Sequence, residues 1–170
     1  MESVEAFLSL GSNLGDREGF LKRAIGFVSR LPGTMVEKVS GIYETEPVEV
    51  VDQPLFLNVA ACILTSSKPV DLLRSLKEIE KTTGRVPRER WHEREIDIDI
   101  IFYGEEAMDT GELTVPHPKA HLRRFVLEPL NEIAPAYLHP VFHKTVGQLL
   151  KECADISAVN RLSDRILWKN

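Results

Sequence analysis

Apolar and polar positions alternate along this chain in two rhythms, and the order of those rhythms predicts the fold. Val4 to Leu10 alternates with the two-residue period of a strand and runs into the small turn Gly11-Ser12-Asn13. From Asp16 to Leu31 the apolar residues Phe20, Leu21, Ala24, Ile25, Phe27, Val28 and Leu31 fall at helical spacing, and Pro32-Gly33 stops the helix. Met35 to Tyr43 and Phe56 to Thr65, rich in Val, Ile and aromatics, predict two strands. Between them Glu44 to Leu55, with Pro47 and Pro54, reads as a long loop, and compact domains keep such loops mainly for function or leave them disordered. Pro69 to Thr83 predicts a second helix, with proline in its first turn and Gly84 at its end. A strand over 96–103 follows and ends at Gly104. The β-α-β-β-α-β order is that of the ferredoxin-like layer, an α+β fold whose open sheet carries both helices on one face. Extra C-terminal elements come after it: Leu113 to Pro118, an amphipathic segment from Arg123 to Ile133, and a short helix near Val146–Cys153. There is no internal repeat and no low-complexity segment.

Length and charge narrow the picture. A chain of 170 residues fits one domain over 1–170, large enough to bury a core without disulfides, and its ends read as those of a free-standing domain. The net charge of −5 gives no general footprint for nucleic acid or a membrane surface. No stretch approaches the roughly 20 apolar residues of a spanning helix, and the amino terminus lacks the basic start of a signal peptide. Cys62 and Cys153, far apart in apolar or helical surroundings, read as reduced thiols, which places the protein in the cytoplasm.

Candidate chemistry concentrates in Arg94-Glu95-Ile96-Asp97-Ile98-Asp99-Ile100-Ile101-Phe102. Successive side chains of a strand point to opposite faces, so Asp97 and Asp99 share one face, about 7 Å apart, and Ile96, Ile98 and Ile100 share the other. Folding gives no reason to set like charges side by side. Oxygen ligands on a rigid strand suit Mg²⁺, which commonly carries substrate phosphates in its other coordination positions. The plain alternative is a solvated strand face. Just upstream, Arg85, Arg88, Arg90 and Arg94 surround Pro87 and Trp91 in a stretch without periodicity. Guanidinium forks match phosphate oxygens, so a polyphosphate-and-metal site is the sharper reading. The alternative is a loop whose arginines pair with Glu89, Glu93 and Glu95, and it weighs most on Arg88 and Arg90. Arg85, after Gly84 at a helix end, and Arg94, flanking the acidic strand, are the stronger candidates.

Other segments divide in the same way. Asn58, among apolar neighbours, needs partners for its amide: a structural hydrogen bond, or the edge of a heterocycle. Phe56, Trp91 and Phe125 read as core or as ligand contacts, with Trp91 poorly explained as core. His117, between Pro116 and Pro118, has its backbone largely fixed, and Lys119, His121, Arg123 and Arg124 form a second basic cluster beside it. No zinc-ligand spacing and no Walker-type glycine loop is present.

Taken in order, Gly11-Ser12-Asn13, Tyr43-x-Thr45-x-Pro47, Asp52-Gln53-Pro54, Phe56-Leu57-Asn58, Gly84-Arg85, Arg90-Trp91, Arg94-x-Ile96-Asp97-Ile98-Asp99, Val115-Pro116-His117-Pro118 and Phe125-Val126-Leu127-x-Pro129-Leu130 resemble the 6-hydroxymethyl-7,8-dihydropterin pyrophosphokinase family of folate biosynthesis. The resemblance runs from about residue 4 to residue 135. It implies transfer of a pyrophosphoryl group from ATP to the hydroxymethyl oxygen of a reduced pterin, with release of AMP. It further implies that Asp97 and Asp99 hold two Mg²⁺ ions bridging the ATP phosphates, and that Arg85 and Arg94 are catalytic-loop arginines. By the same resemblance His117 and Arg123 contact phosphate, and Glu80, Ile100 and Thr114 lie on the nucleotide side. Thr45, Pro47, Val48 and Asn58 would form the pterin pocket, with Phe56 and Phe125 sandwiching the ring and Trp91 closing over it. The partners implied are the two small substrates, without nucleic acid, membrane or an obligate protein partner. The chain departs from the family pattern at Glu49, where glycine is common, and at Leu55, where an acid is frequent. Glu112 stands where some members carry a basic residue, and Pro118 where some carry tyrosine.

Two other classes compete. A polymerase-β-type nucleotidyltransferase also pairs Gly-Ser with Asp-x-Asp, but needs the two elements about ten residues apart, whereas Gly11 and Asp97 are far separated here. An RNA-binding module shares the layer order, but would display aromatic RNP motifs on the sheet, and none is present.

Overall fold

The computed structural model describes residues 2–48 and 52–163; Glu49 lies outside the described residues. Its elements in chain order are β1 (Val4–Ser12), α1 (Arg17–Val28), β2 (Thr34–Val39), β3 (Ile42–Thr45), β4 (Phe56–Thr65), α2 (Pro69–Thr83), β5 (Asp97–Tyr103), β6 (Met108–Asp109), β7 (Thr114–Val115), α3 (Arg124–Ile133), α4 (Val146–Glu152) and β8 (Val159–Ser163), with a 3₁₀ turn at Ala120–Leu122 before α3. The sheet order is β5-β1-β4-β3-β8, with β2 also on β4, and every pairing is antiparallel. This is the ferredoxin-like layer that the sequence predicts, extended by β8 at one edge.

Local chemistry explains the helix limits. Asp16 caps α1 by accepting the Gly19 N–H at 3.1 Å. The expected last turn to Leu31 is present only as tighter bonds, Arg30 N–H to Phe27 and Leu31 N–H to Val28, both 3.1 Å. Helix α2 matches its expected span and stops at Gly84, whose φ of +128° suits glycine alone among residues.

The strand expected over Met35 to Tyr43 is broken into β2 and β3. At the break the Ser40 hydroxyl accepts the Ala60 N–H at 2.9 Å, replacing a ladder bond, and the Gly41 N–H turns away to the Glu132 carboxylate at 3.1 Å. Glu132, on α3, also accepts from the Tyr43 hydroxyl at 2.6 Å and from Arg161 of β8 at 3.2 Å.

The two faces of the sheet do different work. Leu8, Leu10, Val59, Ala61, Ile63, Ile98 and Ile100 point inward and pack beneath α1 and α2 with Leu21, Ile25, Leu72 and Leu76. On the opposite face, Phe7, Ala60, Cys62, Ile101 and Phe102 are covered by Val126, Leu127 and Leu130 of α3 and Val146 and Leu149 of α4. The extra C-terminal elements thus add a third layer, but over only half of that face. A bulge in β5 makes this possible. Phe7 is opposite Phe102 and Leu8 opposite Ile100, which leaves Ile101 as an extra residue and puts Ile101 and Phe102 on the same side.

Glu132 gathers donors from the Ser40-Gly41 break, β3 and β8 onto one helix, so we expect Glu132→Ala to destabilise the fold by about 2 kcal/mol and Tyr43→Phe by about 1 kcal/mol. Urea unfolding monitored by circular dichroism checks this; an unchanged midpoint in Glu132→Ala would refute the bracing role.

Candidate active site

The uncovered half of the outer sheet face forms the floor of an open cavity of about 140 Å³. Its floor comes from Ser9, Gly11, Asn58, Asp97 and Asp99, and its walls include Thr45, Pro47, Val48, Phe56, Trp91, Arg94, Arg123 and Phe125. Asp97 stands opposite Gly11 and Asp99 opposite Ser9 in the β1–β5 ladder, so both carboxylates lie beside residues with little or no side chain.

Asp97 is bracketed. Its Oδ1 accepts from Arg85 and its Oδ2 from Arg94, each at 3.1 Å. Arg85 is in turn held at 2.6 Å by Glu80, a carboxylate only 2% exposed that also accepts the Ile98 N–H at 2.8 Å and pairs with Lys77 at 3.1 Å. A buried carboxylate on α2 therefore aims a guanidinium at the acidic strand. Asp99 is different: burial first, and then the neighbouring charge of Asp97, push its carboxyl up to about 7. Arg85 and Arg94 bond to Asp97, whereas Lys77 and Arg123 offset the rise at Asp99 only in part. Two oxygen ligands on one wall, one of them wanting a cation, fit a hard divalent ion whose remaining positions a phosphate would fill.

The amide end of the cavity is also built rigidly. Asn58, 3% exposed, donates from Nδ2 to the Thr45 hydroxyl at 2.5 Å. A Cβ at Gly11 would stand 2.8 Å from Asn58 Oδ1, so glycine there lets the amide lie against the strand. Both alternatives weighed for Asn58 are compatible with this: one edge is structural and the residue lines the cavity.

Asn13 joins the rim loops, and it is the residue most easily underrated in the sequence. It is 1% exposed. Its N–H donates to the Arg94 carbonyl at 3.0 Å, and its Oδ1 accepts the Arg94 N–H at 2.8 Å. Its Nδ2 donates to Gln53 Oε1 at 3.1 Å and to the Pro54 carbonyl at 3.3 Å. Gln53 in turn donates to the carbonyl of Trp91. Trp91 sits exposed at the rim with φ of +72° and Arg90 stacked 4.6 Å over its ring. The signal for Asn13 was its place in the turn after β1, where a buried amide has three chain segments to join.

The structure sorts the remaining candidates. Arg88 makes a two-pronged pair with Glu95 at 2.7 and 2.8 Å, and Glu95 also accepts the Val86 N–H, so Arg88 closes the loop on itself. His117 donates its N–H to the carbonyl of the bulge residue Ile101 at 2.9 Å. Burial and then Arg123 pull its imidazole down to about 4, so it is neutral near pH 7. With Thr114 it lines a separate hollow beside His121, His139 and Phe142 rather than the main cavity. Thr114 spends its hydroxyl on Asp109 at 3.1 Å. Ile100, expected on the nucleotide side, is 3% exposed and packs in the inner core, because strand parity turns it away from the aspartates. Glu80 likewise lies outside both hollows and acts on the site from beneath, through Arg85 and through the backbone N–H of Ile98 between the two aspartates. Ser9, Glu46, Gln53 and His92, absent from the expected set, line the cavity.

A ferredoxin-like sheet with an acidic, arginine-bracketed floor defines the class. Within it, the sequence pattern described as 7,8-dihydro-6-hydroxymethylpterin-pyrophosphokinase (HPPK) matches residues 7–135. A 2-amino-4-hydroxy-6-hydroxymethyldihydropteridine pyrophosphokinase of Bacillus subtilis is 45% identical over 128 residues, covering 75% of this chain and 77% of that protein. The bifunctional protein FolKE of Lactococcus lactis is 43% identical over 127 residues, covering 75% of this chain but 36% of its own length. The solved wild-type HPPK-DHPS of Plasmodium falciparum superposes with a TM-score of 0.71 at 18% identity, covering 89% of this chain and 43% of that one. The chain belongs to the HPPK family.

Glu95 supplies a pH test of the loop. Its hydrogen bonds from Arg88 hold the carboxyl down to about 2 despite burial. A depressed folded-state value means the contribution to stability is present above about 4.3, the ordinary glutamate value, and is lost as pH falls towards 2. We expect the melting-temperature gap between the wild-type chain and Glu95→Gln to be full at pH 6 and to close below pH 3. A gap independent of pH would overturn the assignment.

Proposed function

We infer that this chain transfers the pyrophosphoryl group of ATP to the hydroxymethyl oxygen of 6-hydroxymethyl-7,8-dihydropterin, releasing AMP. Family membership supports the reaction. The observation that supports its location is the Asp97–Asp99 floor bracketed by Arg85 and Arg94, beside a pocket with an amide and aromatic side chains.

In this reading the flat ring lies among Phe56, Phe125, Thr45, Pro47 and Val48, with Asn58 at its hydrogen-bonding edge and Trp91 closing the rim. The hydroxymethyl group then faces the aspartates. Its oxygen bonds to the β-phosphorus, the bond from that phosphorus to the bridging oxygen breaks, AMP departs with that oxygen, and the hydroxyl proton is released. Charge builds on the bridging oxygen and the transferred phosphates, where Arg85 and Arg94 can follow it. Arg123, on the cavity wall, offers donors to the outer phosphates, and the family resemblance assigns a phosphate contact to neutral His117 in the adjoining hollow. Mg²⁺, held by Asp97 and Asp99, would neutralise the polyphosphate and fix its geometry. The cytoplasm is the compartment we propose, on the two free cysteines Cys62 and Cys153; among the described residues no helix is long and apolar enough to cross a membrane. We also propose that residues 1–170 act as one domain without an obligate protein partner. The RNA-binding alternative is disfavoured by α3 and α4 covering half of the sheet face that would receive the bases.

Purified protein incubated with ATP, Mg²⁺ and the pterin should release AMP only when all three are present, and EDTA should abolish it; chromatography showing ADP instead would overturn pyrophosphoryl transfer. Asp97→Asn and Asp99→Asn should each lower kcat by about a thousandfold with the circular dichroism spectrum retained. Rates near wild type would sink the metal-ligand roles. Arg94→Ala should lower kcat by about a hundredfold with the KM for ATP little changed, because its charge acts on the transition state; an effect on KM alone would contradict that.

A further inference from the structure

After α4 the chain returns across the molecule to place β8 on the free edge of β3, and this return touches two walls of the cavity. At one end Asp155 Oδ2 accepts the backbone N–H of Arg124, the first residue of α3, at 3.0 Å, and Oδ1 accepts the Ser157 N–H at 2.9 Å. The Ser157 hydroxyl also donates to Asp155 Oδ1, and the Arg124 guanidinium donates to the Ser157 carbonyl at 3.2 Å. At the other end Val159 lies opposite Thr45 in the β3–β8 ladder. One step further the Glu46 N–H donates to the Ala158 carbonyl and the Glu46 carboxylate accepts the Ala158 N–H, both at 3.4 Å.

The residues held at these two ends belong to the cavity. Arg123 and Phe125 flank Arg124 and line one wall; Thr45, Glu46, Pro47 and Val48 line another. Asp155, Ser157 and Ala158 do not line it. The strap also lies beyond residues 7–135, the part of the chain that matches the family pattern.

An edge strand running into a long loop keeps conformational freedom that a ligand must remove on binding, and each ordered segment subtracts from affinity. Fixing the first residues of that loop beforehand lowers this cost on one side of the cavity only. The strap joins the wall carrying Phe125 to the wall carrying Thr45–Val48 through a few residues, so it also limits how far the two can separate.

We propose that residues 155–158 form a positioning strap that sets the width of the heterocycle half of the cavity, with Asp155 as its anchor, and so determines affinity for the flat pterin without touching it. The proposal rests on the pterin reading given above. The carboxylate floor, built on β1 and β5 and braced from α2, has no hydrogen bond to the strap among the described residues, and of the phosphate-side groups Arg123 alone neighbours its anchor, so pterin affinity should respond far more than nucleotide affinity.

The test compares wild type, Asp155→Ala and Asp155→Asn, which keeps an acceptor oxygen. Affinity for 6-hydroxymethylpterin is measured by fluorescence titration, affinity for α,β-methylene-ATP by calorimetry, and kcat and KM by AMP release. Asp155→Ala should weaken pterin binding about tenfold, with the nucleotide affinity and the kcat at saturating pterin within about twofold of wild type, and Asp155→Asn should recover part of the loss. Lys144→Ala, which breaks the exposed Lys144–Glu152 pair on the same C-terminal region, should move neither affinity. Unchanged pterin affinity in Asp155→Ala, or equal weakening of both ligands, would overturn the strap. Should that variant fail to fold, Ser157→Ala, which loses only the hydroxyl bond to Asp155, carries the same comparison with an expected shift of about threefold. A wild-type chain that binds no pterin and releases no AMP would remove the functional reading itself, an outcome distinct from failure of the strap alone.

Discussion

The antiparallel pairing of β1 with β5 is the constraint on which the rest of the site depends. It sets Gly11 beside Asp97 and Ser9 beside Asp99, and β4 continues the row with Asn58 and Ala60. Two carboxylates can share a sheet face because their cross-strand neighbours leave space above the backbone, and because two guanidiniums reach in to one of them. Elsewhere on the same face the row is filled by Phe7 and Phe102 and sealed by helices. One sheet surface is thus core over one half and reaction floor over the other, and the difference lies in side-chain size rather than in backbone form.

Rigidity and freedom are separated accordingly. The floor belongs to long paired strands, while the rim belongs to loops tied to one another through a single amide, Asn13, and through Gln53. Such ties are few, and loops held by few bonds open at lower cost than the strands beneath them. Glu80 plays the complementary part from below. Being buried and fully bonded, it fixes the direction of Arg85 before any ligand arrives, which is how a preorganised charge costs little at the moment of reaction.

Most of the fold was legible because local signals agreed with the tertiary outcome: the spans Phe56–Thr65 and Pro69–Thr83 read from pattern and caps are the spans observed. The break at Ser40-Gly41 was not legible, since it depends on Glu132, 91 residues away in sequence. Strand β8 was missed because Val159–Ser163 is a short, largely exposed edge strand whose pairing comes from β3 far upstream. In the acidic run, alternation put Asp97 and Asp99 on one face, and the sequence weighted Arg88 towards a local glutamate and Arg85 and Arg94 towards the acidic strand; what it left open was which of Glu89, Glu93 and Glu95 Arg88 would take. Burial decides that choice, and burial follows from packing. Ile100 is a different case. Strand parity turned its side chain inward, and the inner core is where that side chain lies.

The bulge at Ile101 divides β5 into two stretches of opposite phase. Upstream of it an odd-numbered position faces the cavity, and downstream of it an even-numbered position faces the outer core. Losing or gaining one residue anywhere between Asp97 and Ile100 would exchange aspartate for isoleucine on both faces at once, emptying the floor and charging the core together. Substitutions in this strand can be explored one side chain at a time, but its length cannot. The carboxylate spacing is therefore inherited as a unit, and divergence in chain length has to be absorbed by the loops on either side of the strand.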